Sequence, residues 1–189
     1  MYSFRIEQAV RAASVLHKDH VRKGSMPFPY ITHLISVAFI LQDYTDNENV
    51  IIAALLHDTI EDTDYTLDEL QQDFGGTVRD IVEYVTEDKT KKWKDRKKKY
   101  LKHLSEGPTE ALLVSMADKI HNMRAVVDAY YDEPKKFLKD FGGTLEERLE
   151  QYQDLSNLFN RKIENDIIHE FNHVFTEYKN FIYYVQENI

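Results

Sequence analysis

Cysteine is absent from the 189-residue chain, which excludes a disulfide framework and a thiolate zinc site and leaves imidazole and carboxylate to build any transition-metal centre. Glycine and proline are scarce, 6 and 4 residues, unlike the composition of a fibrous or disordered chain. No apolar run approaches the length of a membrane span, and the opening MYSFRIEQAVRAA lacks the basic-then-apolar order of a secretory signal. A cytoplasmic protein with no membrane partner is the expectation. Positive charge is in deficit as well: the formal net charge of −9 argues against a general nucleic-acid binder, whose affinity rests on a basic surface. What is present suits one ordinary domain, residues 1–189, able to bury a core without staples. Any metal found in it therefore has a chemical task.

The charge is unevenly spread. Between Lys89 and Lys102 the segment KTKKWKDRKKKYLK carries +8, leaving −17 for the rest. Such a run can attract an anion locally on an acidic protein. Read alone, it is expected to be a solvated, mobile start of a helix without a ligand.

Apolar spacing of three and four predicts helices throughout. The first runs to about His17, through Phe4, Ile6, Ala9, Val10, Ala13 and Leu16. Gly24, Pro27 and Pro29 interrupt, and Ile31 to Tyr44 resumes the pattern with His33 in its first turn. Asn47 can cap a third helix whose apolar run IIAALL marks it as central. Thr66 to Glu69 reads as a capping box, with Gly75 and Gly76 as a left-handed stop, and a further helix follows from about Thr77 to Val85. Pro108 suits the start of a helix containing Ala111 to Val127, with Asp118 at its middle and Pro134 beyond its end. Gly142 and Gly143 mark another break, Thr144 to Glu147 repeats the capping box, and the last helix is expected to carry Ile163, Ile167, Phe171, Val174, Phe175, Tyr178 and Phe181 on one side. No alternating strand pattern appears, so the fold class is all-α.

The chemistry concentrates in ALLHDTIEDT, Ala54 to Thr63. Adjacent helical residues point about 100° apart, so His57 and Asp58 converge on one ion only if other helices complete its shell. His33 and Asp118 are the natural suppliers, each embedded in an apolar run where an ionisable group is costly unless paired or metal-bound. A buried His/Asp network without an ion is the alternative reading. Glu61 lies one turn after His57 on the same face, within reach of a water at such a site. His17, His20, His103, His169 and His173 are read as structural or surface residues.

Four motifs together carry a resemblance. HxxxxRK at His17 to Lys23, PYITH at Pro29 to His33, HDTIEDT at His57 to Thr63 and ADKIHNMR at Ala117 to Arg124 resemble, in order, the hydrolase half of the RelA/SpoT alarmone enzymes. No synthetase region follows, and the KGSMPFPYI connection and the VTEDKT segment make the chain similar to the stand-alone small alarmone hydrolases. The resemblance implies an HD-domain helical bundle, a manganese ion held by His33, His57, Asp58 and Asp118, and removal of the 3′-pyrophosphate of (p)ppGpp. It implies Glu61 and Asp62 as the catalytic pair, Arg22 and Lys23 beside the nucleotide phosphates, Asn122 at the nucleoside, and Arg148 and Tyr152 on the phosphate side. The donor set also suits Fe²⁺ or Zn²⁺. Leu34 stands where the family usually has proline, and Ala125 replaces a polar residue common after the NMR segment, which loosens the expectation of guanine preference. Other nucleotides with a ribose phosphate, such as ppApp or NADPH, and a non-catalytic nucleotide sensor are the rival readings.

Overall fold

In the computed structural model, residues 3–22, 27–134 and 144–188 are described, and among them ten helices and no strand occur. Helix α1, Phe4–Leu16, starts at Ser3, whose hydroxyl accepts the Ile6 N–H. Its Ala9 and Ala13 are fully buried, small enough to let the helix lie against α3. Helix α2, Ile31–Gln42, ends two residues before the expected Tyr44; Tyr44 and Thr45 still donate to the Leu41 carbonyl as a closing turn. A single antiparallel bridge, Val21 to Pro29, ties the connection between these helices.

Helix α3, Glu48–Leu56, is capped by Asn47, and every residue from Val50 to Leu56 is buried, as the apolar run predicts. It packs against α1, α2, α6 and α8, which makes it the central element. The single turn α4, Thr59–Asp62, follows directly, so the chemistry-bearing residues sit at the end of the most buried helix. Helix α5, Leu67–Phe74, has its full capping box at Thr66 and Glu69. Among the described residues only Gly75 has a positive φ, 90° with ψ 164°, a combination almost confined to glycine. Gly76 instead opens α6, Gly76–Val85, because one such residue is enough to redirect the chain.

Helix α7, Trp93–Glu106, carries the basic run. Helix α8, Thr109–Asp132, begins after Pro108 and packs on α2, α3, α6 and the last helix. Helix α9, Leu145–Lys162, starts with the second capping box, at Thr144 and Glu147, and helix α10 spans Ile167–Asn188. Ile163 is the extended cap of α9 and not part of α10. Asn165 makes the break, its side-chain oxygen accepting the Ile167 N–H to start a new helix. The expected break at Gly142 and Gly143 lies outside the described residues, as does Lys23. No described helix is long and apolar enough to cross a membrane.

Candidate metal centre and active site

Three helices meet at one point. His33 comes from the first turn of α2, His57 and Asp58 from the end of α3, and Asp118 from the middle of α8. All four are largely buried. His33 Nε2 lies 3.2 Å from Asp118 Oδ1 and 3.6 Å from Asp58 Oδ2. His57 Nε2 lies 3.2 Å from Asp58 Oδ2 and 3.7 Å from Asp118 Oδ1. Donor atoms of His33, His57 and Asp58 fall within 4.8 Å of one another, the spread expected of groups facing a common ion.

The histidines are held in ligand orientation. His57 Nδ1 lies 2.7 Å from the Ala54 carbonyl, so that nitrogen carries the proton. Its Nε2 is buried without a hydrogen-bond partner, because the nearby carboxylates are close but not aligned. An orphaned imidazole nitrogen between two carboxylates is the feature a divalent cation satisfies. His33 Nδ1 stands 2.9 Å from His121 Nδ1, which pins the ring with Nε2 toward the carboxylates. Burial, reinforced by the nearby His33 and Arg22, pushes His121 down to about 4. Burial also lowers the pKa of His57, but Asp58 and Asp118 outweigh it and lift it well above the ordinary histidine range. Both carboxylates stay ionised despite burial, held down by the imidazoles and, at Asp118, by Lys119. The cluster thus calls for positive charge at its centre.

Around it lies a cavity of about 180 Å³ lined by these ligands and by Tyr30, Glu61, Glu87, Arg96, Lys97, Tyr100, Ser115, Lys119 and Asn122. Glu61 is oriented from both ends: Oε2 accepts the Glu87 N–H at 3.0 Å, and Oε1 is 3.3 Å from Lys89 Nζ. Burial and the Asp58 charge raise its pKa above the ordinary glutamate value. Asp62 pairs with the same Lys89 but does not line the cavity.

Most of the basic run is exposed, as its reading as a solvated helix start expects, but two of its residues depart from that reading. Arg96 and Lys97 turn inward, 3.0 and 2.5 Å from the Glu87 carboxylate, and burial together with Lys119 lowers the Lys97 pKa. The sequence carried a signal for this: Trp93, Lys97, Tyr100 and Leu104 share helical spacing, and Tyr100 and Leu104 are buried. Lys119 follows Asp118 in the ADKIH motif and donates to its Oδ2 at 2.6 Å. Lys97 and Tyr100 also wall a second cavity of about 390 Å³ between α7 and α9, with Trp93, Leu101 and Leu155.

The remaining expected residues are placed less directly. Asn122 has its amide engaged at both ends, accepting from Arg22 and donating to Asp118. Neither Arg22, Arg148 nor Tyr152 lines the smaller cavity. Tyr152 is buried near enough to Lys119 and Arg148 for their charges to act on its phenol.

A helical bundle whose separate helices deliver two imidazoles and two carboxylates to a polar cavity that also holds Arg96, Lys97 and Lys119 has the form of a metal-dependent hydrolase scaffold. The family model for the HD domain matches residues 9–141. The chain is 38% identical over 162 residues to the guanosine-3′,5′-bis(diphosphate) 3′-pyrophosphohydrolase MESH1 of Danio rerio, covering 76% of this chain and 89% of that one. It is 37% identical over 159 residues to the MESH1 of Homo sapiens, covering 75% and 89%. A solved structure described as a metazoan ortholog of SpoT that hydrolyzes ppGpp and plays a role in starvation responses superposes with a TM-score of 0.77 at 27% identity, over 94% of this chain and 97% of that one. The chain belongs to the HD-domain hydrolases of the RelA/SpoT family, alongside the MESH1 proteins. Hydrolases with this domain are metal-dependent.

Proposed function

We propose that the chain removes the 3′-pyrophosphate of (p)ppGpp, releasing pyrophosphate and leaving GDP or GTP. The observation that carries this reading is the convergence of His33, His57, Asp58 and Asp118 under a cavity walled by Arg96, Lys97 and Lys119. Those four residues would hold one divalent ion, for which we propose Mn²⁺, with Fe²⁺ or Zn²⁺ compatible with the same donors. When bound, the ion supplies Lewis acidity, favouring ionisation of water and polarising the phosphoryl group.

The chain's own side chains do the rest. Glu61, held by the Glu87 N–H and Lys89, orients a water and takes its proton as the water oxygen bonds to the proximal phosphorus and the bond to O3′ breaks, the departing O3′ taking up a proton from solvent to become the 3′-hydroxyl. Its raised pKa brings it closer to the working pH, which improves it as a base. Asp62 fixes Lys89 and through it Glu61. Arg96, Lys97 and Lys119 offset charge on the phosphate oxygens. A cavity of about 180 Å³ has room for a pyrophosphate group, whereas whole-ligand pockets run to roughly 300 Å³ and more. The nucleoside therefore extends out of this cavity; Asn122 is proposed to contact it, Arg22 and Lys23 to sit beside the nucleotide and its phosphates, and Arg148 and Tyr152 to line the phosphate side. A single domain in the cytoplasm, acting on a small nucleotide, completes the reading.

The same geometry favours a second substrate reading. A pocket that encloses the phosphates but not the base also admits ppApp or NADPH. Incubating the manganese-loaded protein with ppGpp, ppApp and NADPH side by side tests both. Pyrophosphate release from ppGpp supports the first reading, turnover of NADPH alone transfers it to the second, and no turnover of any removes both.

A further inference from the structure

Arg22 lies outside the cavity yet touches two of the groups that hydrogen-bond the candidate ligand carboxylates, one at each. On one side its Nη2 donates to Asn122 Oδ1 at 2.8 Å, and Asn122 Nδ2 donates to Asp118 Oδ1 at 2.5 Å. On the other, its guanidinium carbon stands 5.6 Å from the centre of the Tyr30 ring, and the Tyr30 hydroxyl donates to Asp58 Oδ2 at 2.7 Å. Those two oxygens are the ones facing the imidazole Nε2 atoms.

The chemistry of the groups fixes the direction of each contact. A guanidinium only donates and an ionised carboxylate only accepts, so Asn122 between them has one amide orientation, oxygen to Arg22 and nitrogen to Asp118. The Tyr30 ring is contacted by Arg22 and also by His17, whose ring stacks on it at 5.1 Å and 20°. Arg22 is itself anchored: its N–H donates to the Phe28 carbonyl beside the Val21 to Pro29 bridge, and the Tyr30 N–H donates to the His20 carbonyl. These backbone contacts beside the Val21 to Pro29 bridge therefore set the guanidinium against the phenol.

We infer that Arg22 is a positioning residue of the metal centre, aiming both ligand carboxylates through Asn122 and Tyr30. This rests on the proposal that Asp58 and Asp118 hold an ion, and it is separate from any contact Arg22 makes with a nucleotide. Groups that orient metal ligands without touching the ion change affinity about 10- to 100-fold when removed.

The test is a Mn²⁺ titration of the full chain, without nucleotide, against a competing chelator. Arg22→Ala is expected to weaken Mn²⁺ binding about 10- to 100-fold while leaving the melting temperature of the metal-free protein unchanged. Arg22→Lys is expected to restore little, because an ammonium keeps the charge but not the planar fork that serves Asn122 and the ring together. Tyr30→Phe and Asn122→Ala should each weaken binding, and each should lose less when added to Arg22→Ala than alone. Unchanged Mn²⁺ affinity in Arg22→Ala, full rescue by lysine, or an equal loss of metal-free stability would overturn the inference. If the unsubstituted chain retains no Mn²⁺, the metal reading fails first and this inference with it.

Discussion

Glu61, the proposed base, illustrates how such a residue would trade stability for chemistry. Burial and the Asp58 charge disfavour its ionised form, yet a base must be ionised to work. Its pKa is raised in the fold, so its stabilising contribution is full below the unfolded value and is lost as pH rises through the folded one. In metal-free protein, Glu61→Gln is therefore expected to raise the melting temperature relative to the unsubstituted chain at neutral pH, with the gap closing toward pH ~4, near the ordinary glutamate pKa. A gap that widens on acidification contradicts the assignment. The same substitution in loaded protein should lower kcat by about 100-fold or more while nucleotide binding persists. Lys97 offers a second residue-scale test. Exchange for methionine removes the proposed charge-assisted contact to phosphate, worth about 1.5–3 kcal/mol, and should lower kcat/KM roughly 10- to 100-fold without changing metal content; unaltered kinetics would return Lys97 to a purely structural pairing with Glu87.

At the scale of elements, legibility followed the strength of local chemistry. His33, His57 and Asp118 stood out because each is an ionisable residue inside an apolar helix, and burial makes such a residue expensive unless it has partners. Both capping boxes and the Asn47 cap were readable for the same local reason. The break between α9 and α10 was not, since Asn165 competes as a cap against an otherwise continuous apolar pattern through Ile163 and Ile167. Nor was the inward turn of Arg96 and Lys97, because their partner Glu87 lies on the connection before α7 and only tertiary packing brings it under the helix. Gly75 gives the stop at α5 a sharp test. A side chain there is strained by φ 90° although the space is open, so Gly75→Ala should cost about 1–3 kcal/mol in chemical denaturation. Gly76→Ala, with open space and ordinary helical geometry, should be neutral or stabilising. Equal effects at the two positions would show that backbone strain is not what sets the turn.

For the whole molecule, the candidate metal centre joins α2, α3 and α8, so an ion there links the central helix to two of its neighbours. Binding only the folded state stabilises it, by about 2.7 kcal/mol when the metal is at 100 times its dissociation constant. Chelation should accordingly lower the melting temperature, and His57→Ala or Asp118→Ala should abolish the metal-dependent increment along with metal retention. The distribution of charge has a global consequence too. In the proposed pose the phosphate end of a substrate meets Arg96, Lys97 and Lys119, which line the cavity, and the half-buried Ala125 on α8 offers no side-chain hydrogen bond to a base. Preference for ppGpp over ppApp should stay below about a hundredfold in kcat/KM, and Ala125→Thr should increase it, since one hydrogen bond to a buried edge is worth about 1–3 kcal/mol. A larger ratio in the unsubstituted chain would mean that other residues read the base.

Metal-dependent hydrolysis at the His33, His57, Asp58 and Asp118 centre is tested by following pyrophosphate release from ppGpp by the full chain, manganese-loaded and after exhaustive chelation. Release of pyrophosphate with GDP by the loaded protein, its loss on chelation, its return when Mn²⁺ is restored and its absence in His57→Ala are the results expected. Undiminished hydrolysis in the chelated protein, or none in the loaded one, would contradict the account.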